Sequence, residues 1–203
     1  MAPVIPDPAR IHEFRDWKAF DSWLSQHGRS EPEVWIRIFK KGTGLPSITP
    51  LEAIDVALCW GWIDAIRKGL DERSYLQRYT PRGPKSIWSQ INRDNVARLI
   101  AQGRMTEHGL KHVEAAKADG RWDAAYASVA KMEMPADLMA AIQANPQALA
   151  TYKTLNSQNR YALAFRVTNL KTAAGRKKRI EAFVEMLAGG DMPYPQKPGK
   201  ETT

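Results

Sequence analysis

Residues 59–105 constrain the fold more than any other part of this 203-residue chain. Two runs rich in β-prone residues, 62–68 and 73–80, flank the turn sequence Gly-Leu-Asp-Glu, which predicts a β-hairpin. A basic loop stiffened by two prolines follows, and a helix is predicted over about 89–102, where Gly103 ends it. The segment has nine Lys/Arg against four Asp/Glu. It therefore predicts a small sheet beside a stiff, positively charged loop.

The rest of the chain predicts one more strand and several helices. Residues 33–40 are rich in β-branched and aromatic side chains and read as a strand, whereas 16–26 have helical spacing. Thr49, Pro50 and Glu52 form a capping-box pattern, which predicts a helix to about residue 59 with Leu51 facing inward. Residues 107–119 and most of 135–188 are helical in pattern. The predicted class is α+β: a small antiparallel sheet packed by helices, followed by an all-helical C-terminal subdomain.

Changes in composition along the chain predict four segments. We expect a flexible N-terminal arm at 1–13, an α+β domain at 14–125, a helical C-terminal subdomain at 133–190 and a disordered tail at 191–203. The arm is rich in proline, and Gly189-Gly190 stops the last helix before the tail.

Charge and hydropathy limit the classes of protein that this chain can belong to. A formal net charge of +8 and a pI near 9.6 favour contact with an acidic molecule, although solubility alone also accounts for them. We expect no transmembrane segment, since every apolar run is short and interrupted by charge. The N-terminus lacks the pattern of a secretory signal, and Cys59, the single cysteine, is predicted to be a buried, inert thiol. We therefore expect a cytoplasmic protein.

The basic loop and the hairpin beside it form the first candidate site. Prolines restrict the backbone, and arginine offers a planar donor fork that suits phosphate or carboxylate. In the alternative interpretation, Arg78 and Arg82 pair with Asp64, Asp71 or Glu72 and only hold the hairpin together. The predicted ligand-binding residues are Arg67, Arg78, Tyr79, Arg82, Lys85, Ser86 and Trp88.

Asp64 is a weak candidate for a catalytic base, and no other catalytic residue is predicted. It lies in an apolar run, so its carboxylate must be paired or have a raised pKa. A tight turn would place it across from Gln77. His108 and His112 share one helical face, but no HExxH motif or nearby cysteine completes a ligand set, so we expect exposed histidines and no metal. No cofactor is predicted, because the P-loop and GxGxxG motifs are absent.

A second basic patch is predicted at Arg176, Lys177 and Arg179 in the first turn of the last helix. Cations there oppose the helix dipole, and an acidic partner could offset that cost. A solvated helix face is the alternative.

Two long motifs carry a resemblance to a known family. The central motif runs from WIRIFKKGTG to KADGRW, residues 35–122, and the C-terminal one runs from residues 137–144 through NPQALATYKTL to GRKKRIEAFVEMLAGG. Together they resemble the YdeI/OmpD-associated family, also labelled bacteriocin-protection proteins, over roughly residues 34–190. Gly175 departs from the pattern, since members commonly have a larger polar residue there. The family names imply tolerance of bacteriocins and association with a porin, but no reaction or cofactor.

Three functional hypotheses follow from the sequence. The first is a non-enzymatic binding protein of the bacteriocin-protection, stress-tolerance type, whose basic loop binds an anionic small molecule or an acidic macromolecule. The second is weak, sequence-independent nucleic-acid binding, with aromatic residues available for stacking. The third is an enzyme acting on a phosphorylated or carboxylated small molecule, with Asp64 as base and Arg78 or Arg82 as anion clamp.

Overall fold

The computed structural model describes residues 4–126, 132–170 and 172–196. The chain divides into an N-terminal unit, Met1–Ala125, and a C-terminal unit, Tyr126–Thr203. The described residues of the N-terminal unit form a short 3-10 helix (Pro8–Arg10), four strands and four α-helices. The strands and α-helices follow in the order β1 (Ile11–His12), α1 (Trp17–His27), β2 (Val34–Phe39), α2 (Pro50–Cys59), β3 (Trp62–Gly69), β4 (Ser74–Pro81), α3 (Gln90–Ala101) and α4 (Glu107–Ala118).

A four-stranded sheet with the order β1-β2-β4-β3 organises the N-terminal unit. The predicted hairpin is β3–β4, and β4 also pairs with β2, in both cases antiparallel. The predicted α+β class is confirmed, but the sheet is mixed rather than antiparallel because β1 pairs parallel to β2. The sequence did not predict β1, because two residues are too few to show the alternation of apolar and polar side chains that indicates a strand. It lies within the segment expected to be a flexible arm.

Two hydrophobic clusters fill the N-terminal unit. The first packs α1 and α2 against one face of the sheet, and Phe20, Val34 and Ile36 at its centre are fully buried. The second joins the end of α2 to α3 and α4 around Trp88 and Leu99. Both sheet and helices thus bury an apolar face, which is the main favourable contribution to folding.

Local sequence signals set the helix starts. In α2, Thr49 and Glu52 form the predicted capping box, with reciprocal bonds between side chains and backbone amides. Thr106 caps α4 as predicted. Each cap satisfies backbone N–H groups that have no partner within the helix.

The C-terminal unit is helical where the structure describes it, as predicted. Its helices are α5 (Ala136–Gln143), α6 (Pro146–Thr154), α7 (Ser157–Thr168) and α8 (Ala173–Ala188). They share a core that includes Leu138, Leu163 and Leu187. Asn159 in α7 is fully buried and bonds the backbone of Tyr194, in the segment expected to be a disordered tail. The rest of that tail, from 197 onward, lies outside the described residues.

None of the helices in the described parts of the chain is long and apolar enough to cross a membrane.

Gly109 allows α4 to approach the end of α2 closely. A Cβ atom at this position would lie 2.3 Å from the carbonyl oxygen of Cys59. Because that oxygen belongs to the backbone, a side chain could fit only if one of the two helices moved.

We therefore expect Gly109→Ala to lower the free energy of unfolding by about 1–3 kcal/mol, the usual cost of overpacking. Chemical denaturation measures it. Gly69→Ala is the matched control, because a Cβ atom there meets nothing within 4 Å. Equal stability of the two variants would contradict the close packing of α4 on α2.

Candidate functional site

Arginines hold the basic loop, residues 81–88, in place. The loop does not present them to solvent. Arg82 is only 3% exposed, and its guanidinium carbon lies 3.8 Å from the ring centroid of Trp88. Its Nη1 donates to the carbonyl oxygen of Ile87 at 3.0 Å. Arg121 donates from Nη1 to the carbonyl oxygen of Ser86 at 2.9 Å. These two bonds hold the C-terminal end of the loop, and the backbone amide of Arg82, which donates to the carbonyl oxygen of Gly61 at 2.9 Å, holds its start.

Arg78 is engaged in an ion pair with the protein itself. Its Nε donates to Oε2 of Glu33 at 2.6 Å, and both side chains are largely shielded from solvent. The other carboxylate oxygen of Glu33 accepts from the indole of Trp35. The alternative interpretation had expected such a pair, but with Asp64, Asp71 or Glu72. Glu33 immediately precedes β2, and the sequence alone could not show that its side chain would reach β4.

The other predicted ligand-binding residues divide into buried and exposed ones. Tyr79 and Trp88 are 1% and 2% exposed and belong to the hydrophobic clusters, so neither side chain reaches a surface ligand. Arg67 is exposed, donates to Gln77 at 3.0 Å and lies over the ring of Tyr75. Lys85 is exposed and Ser86 is half-buried. The direct contacts that the loop can offer thus come mainly from Lys85.

Asp64 reaches the protein surface but is crowded by surrounding atoms. Desolvation raises the pKa of its carboxyl group, and the positive charges of Arg82 and Arg67 oppose that rise. Asp64 lies opposite Tyr79 rather than Gln77, which pairs with Arg67 instead. The expected register was wrong because the pairing at the turn is Gly69 with Tyr75, which offsets the two strands, and a bulge between Asp64 and Arg67 then shifts the pairing by one residue.

The two histidines of α4 are half-buried rather than exposed. His108 accepts a hydrogen bond from Arg29 at Nε2 and stacks on Trp60. Burial lowers the pKa of His112, and the positive charges of Arg82 and Arg121 lower it further. Within 4–126, 132–170 and 172–196, no group of three or more His, Cys, Asp or Glu could hold a metal ion.

The second basic patch is also partly engaged within its own unit. Arg176 binds both carboxylate oxygens of Asp137, at 2.6 and 2.8 Å, and donates to the carbonyl oxygen of Val167. This arginine lowers the pKa of Asp137. Lys177 and Arg179 are exposed. Arg176 therefore links α8 to α5, and Lys177 and Arg179 beside it are solvated cations.

Cys59 is a buried free thiol, as predicted. Burial raises its pKa to about 11, so the thiolate that would act as a nucleophile is scarce at neutral pH.

The hairpin turn has its own charge network, built around Asp71. Its carboxylate accepts from the Ser74 hydroxyl and the Arg73 amide, both at 2.8 Å, and from Arg37 at 2.8 Å. These hydrogen bonds lower the pKa of Asp71 to about 2, and the bond from Ser74 makes the largest contribution. The sequence suggested Arg78 or Arg82 as the partner of Asp71, whereas the arginine bonded to it is Arg37 of β2.

We expect the pair between Arg78 and Glu33 to contribute coupling energy to the stability of the fold. A double-mutant cycle with Arg78→Met and Glu33→Gln should give about 1–3 kcal/mol, more than an exposed pair gives, because these groups are partly desolvated. Urea denaturation of the four proteins measures it. The exposed pair of Lys117 with Glu114 is the control, with a coupling of less than about 1 kcal/mol. Equal couplings would show that partial burial adds nothing.

Asp71 also predicts how stability depends on pH. Since its folded-state pKa lies below its unfolded value, its contribution is present above the unfolded pKa and is lost as the pH falls toward about 2. The thermal midpoint of Asp71→Asn should therefore fall less between pH 5 and pH 2 than that of the parent protein. Parallel pH profiles of the two proteins would contradict this.

Two family models match the chain. Residues 131–190 match the family described as Bacteriocin-protection, YdeI or OmpD-Associated. Residues 12–112 match a domain of unknown function, DUF8412. No curated protein and no solved structure matches the chain significantly. The resemblance of the C-terminal motif to the YdeI/OmpD-associated family is thus confirmed. Most of the central motif lies within the residues that match DUF8412.

Proposed function

Since its C-terminal unit carries a YdeI/OmpD-associated domain, we propose that the chain is a non-enzymatic binding protein of the bacteriocin-protection type. In this proposal its basic loop engages an acidic partner in the cytoplasm. A buried free cysteine is in keeping with a reducing compartment.

The observation that carries the proposal is the fixed loop with Lys85 exposed upon it. Arg82 and Arg121 bond backbone carbonyls of the loop, and Ser86 donates from its amide to the carbonyl oxygen of Gly83 at 3.0 Å. These bonds reduce the conformational entropy that the loop would lose when a partner binds. The arginines thus act as supports, and Lys85 makes the direct contact.

Positive charge near the loop supports an acidic partner. Arg82 and Arg121 both lower the pKa of His112, so their field extends to the neighbouring helix. Asp119 is the carboxylate bonded to Arg121, and it is half-exposed. Such a field raises the rate at which an acidic molecule reaches the surface.

Nucleic-acid binding and enzymatic activity receive less support. Trp88 and Tyr79, the aromatic residues of the loop region, are buried and offer no stacking platform. Asp64 lies near two arginines in a crowded position, and burial raises its pKa, but a raised pKa occurs in structural carboxylates as well.

We expect Lys85→Glu to weaken binding of a fluorescein-labelled polyglutamate peptide about fivefold or more at low ionic strength. Fluorescence anisotropy measures the affinity, and added salt should reduce the difference between variants because it screens exposed charges. Lys111→Glu is the matched control, an exposed lysine on α4 of the same unit.

Two outcomes would contradict the proposal. Equal losses in Lys85→Glu and Lys111→Glu would show that only net charge matters. A labelled oligonucleotide that binds much more tightly than polyglutamate, and equally well to both variants, would favour the nucleic-acid alternative.

A further inference from the structure

A cavity of about 620 Å³ lies between the loop that joins β2 to α2 and the start of β4. We call it the β2–α2 cavity. Its size is within the range of small-molecule sites. It is separate in sequence from the basic loop, and its lining contains none of the residues that the sequence singled out for ligand binding. Its lining comes from residues between positions 38 and 51 and from Tyr75.

Apolar side chains form the wall of this cavity, and two of them are unusually exposed. Ile38 and Ile48 are buried, whereas Leu45 is 42% and Leu51 74% exposed. Helical spacing predicted that Leu51 would face inward. Instead it stands in the first turn of α2 beside the cavity. Single exposed leucines are common, but two that line one concave surface indicate an apolar ligand.

The charge at the rim of the cavity is positive. Among the described residues of the lining, the charged ones are Lys40 and Lys41, with no Asp or Glu. The ammonium of Lys40 donates to the carbonyl oxygens of Asp71 and Glu72, at 3.3 and 3.0 Å. Neutral carbonyls position this ammonium without cancelling its charge. Lys41 is exposed beside it.

The loop itself is shaped by two glycines and fixed by a serine. Gly42 and Gly44 have φ angles of +88° and +71°, which side chains rarely allow. The hydroxyl of Ser47 accepts from the amide of Phe39 and donates to the carbonyl oxygen of Ile48. The cavity is thus largely formed in advance of any ligand, which reduces the entropic cost of binding.

From these observations we infer that the β2–α2 cavity binds an amphipathic carboxylate, such as a medium-chain fatty acid. The apolar tail contacts Leu45, Leu51 and Tyr75, and the carboxylate lies near Lys40 and Lys41. This combination requires a ligand with one apolar and one anionic end. An acidic peptide lacks the tail, and a neutral lipid lacks the charge.

Isothermal titration calorimetry with decanoate tests the inference, with acetate and decanamide as probes that lack the tail or the charge. We expect saturable binding of decanoate and at least tenfold weaker binding of either control. Lys41→Glu should weaken decanoate binding about tenfold. Leu51→Ser should weaken it severalfold and leave the fold intact, because Leu51 is mostly exposed.

Matched variants separate this site from nonspecific adsorption and from the basic loop. Ile91→Ser removes a similarly exposed apolar side chain from α3, and Lys85→Glu reverses a charge on the basic loop. Both should bind decanoate as the parent protein does. Absence of saturable decanoate binding would overturn the inference, as would equal losses in Leu51→Ser and Ile91→Ser. Neither result would change the polyglutamate experiment, so the two proposals fail independently.

Discussion

The central position of β4 is the constraint on which the N-terminal unit depends. Hydrogen bonds to β2 on one side and β3 on the other fix its register, and alternate side chains point to opposite faces of the sheet. One face therefore receives Tyr79 into the core, and the other turns Arg78 toward Glu33. Where β4 ends, the guanidinium of Arg82 packs on the ring of Trp88. A slip of one residue would exchange these faces and bury a guanidinium in the apolar cluster.

Several arginines of this chain have a different role from its exposed lysines. Arg78, Arg82 and Arg176 bond carboxylates, carbonyls or aromatic rings of the protein itself, for which a planar, weakly hydrated guanidinium is suited. Lys41 and Lys85 are exposed, and a strongly hydrated ammonium on a flexible stem favours that position. A count of basic residues therefore overstates the positive charge available to a partner. Both of our proposals rest on lysine contacts for this reason.

The sequence predicted the fold better than the candidate site. The capping box of α2, the cap of α4 and the hairpin follow from local rules, because each depends on residues a few positions apart. The partner of Arg78 depends on how β2 and β4 meet, which no local rule gives. The same holds for Arg121, because the residues near it in the sequence do not predict its hydrogen bond to the carbonyl oxygen of Ser86. The sequence did not predict the β2–α2 cavity, because Leu51 fits the apolar stripe of α2 and yet faces solvent.

The close approach of α4 to α2 also makes Cys59 a natural reporter. Its thiol is 2% exposed, and the backbone of Gly109 lies against its carbonyl group. A labelling reagent can reach the sulfur only when the apolar cluster around it opens, so the labelling rate of the native protein measures how often this packing opens. With a single cysteine in the chain, that signal has one origin. Local opening at the end of α2 can thus be followed kinetically without introducing any probe.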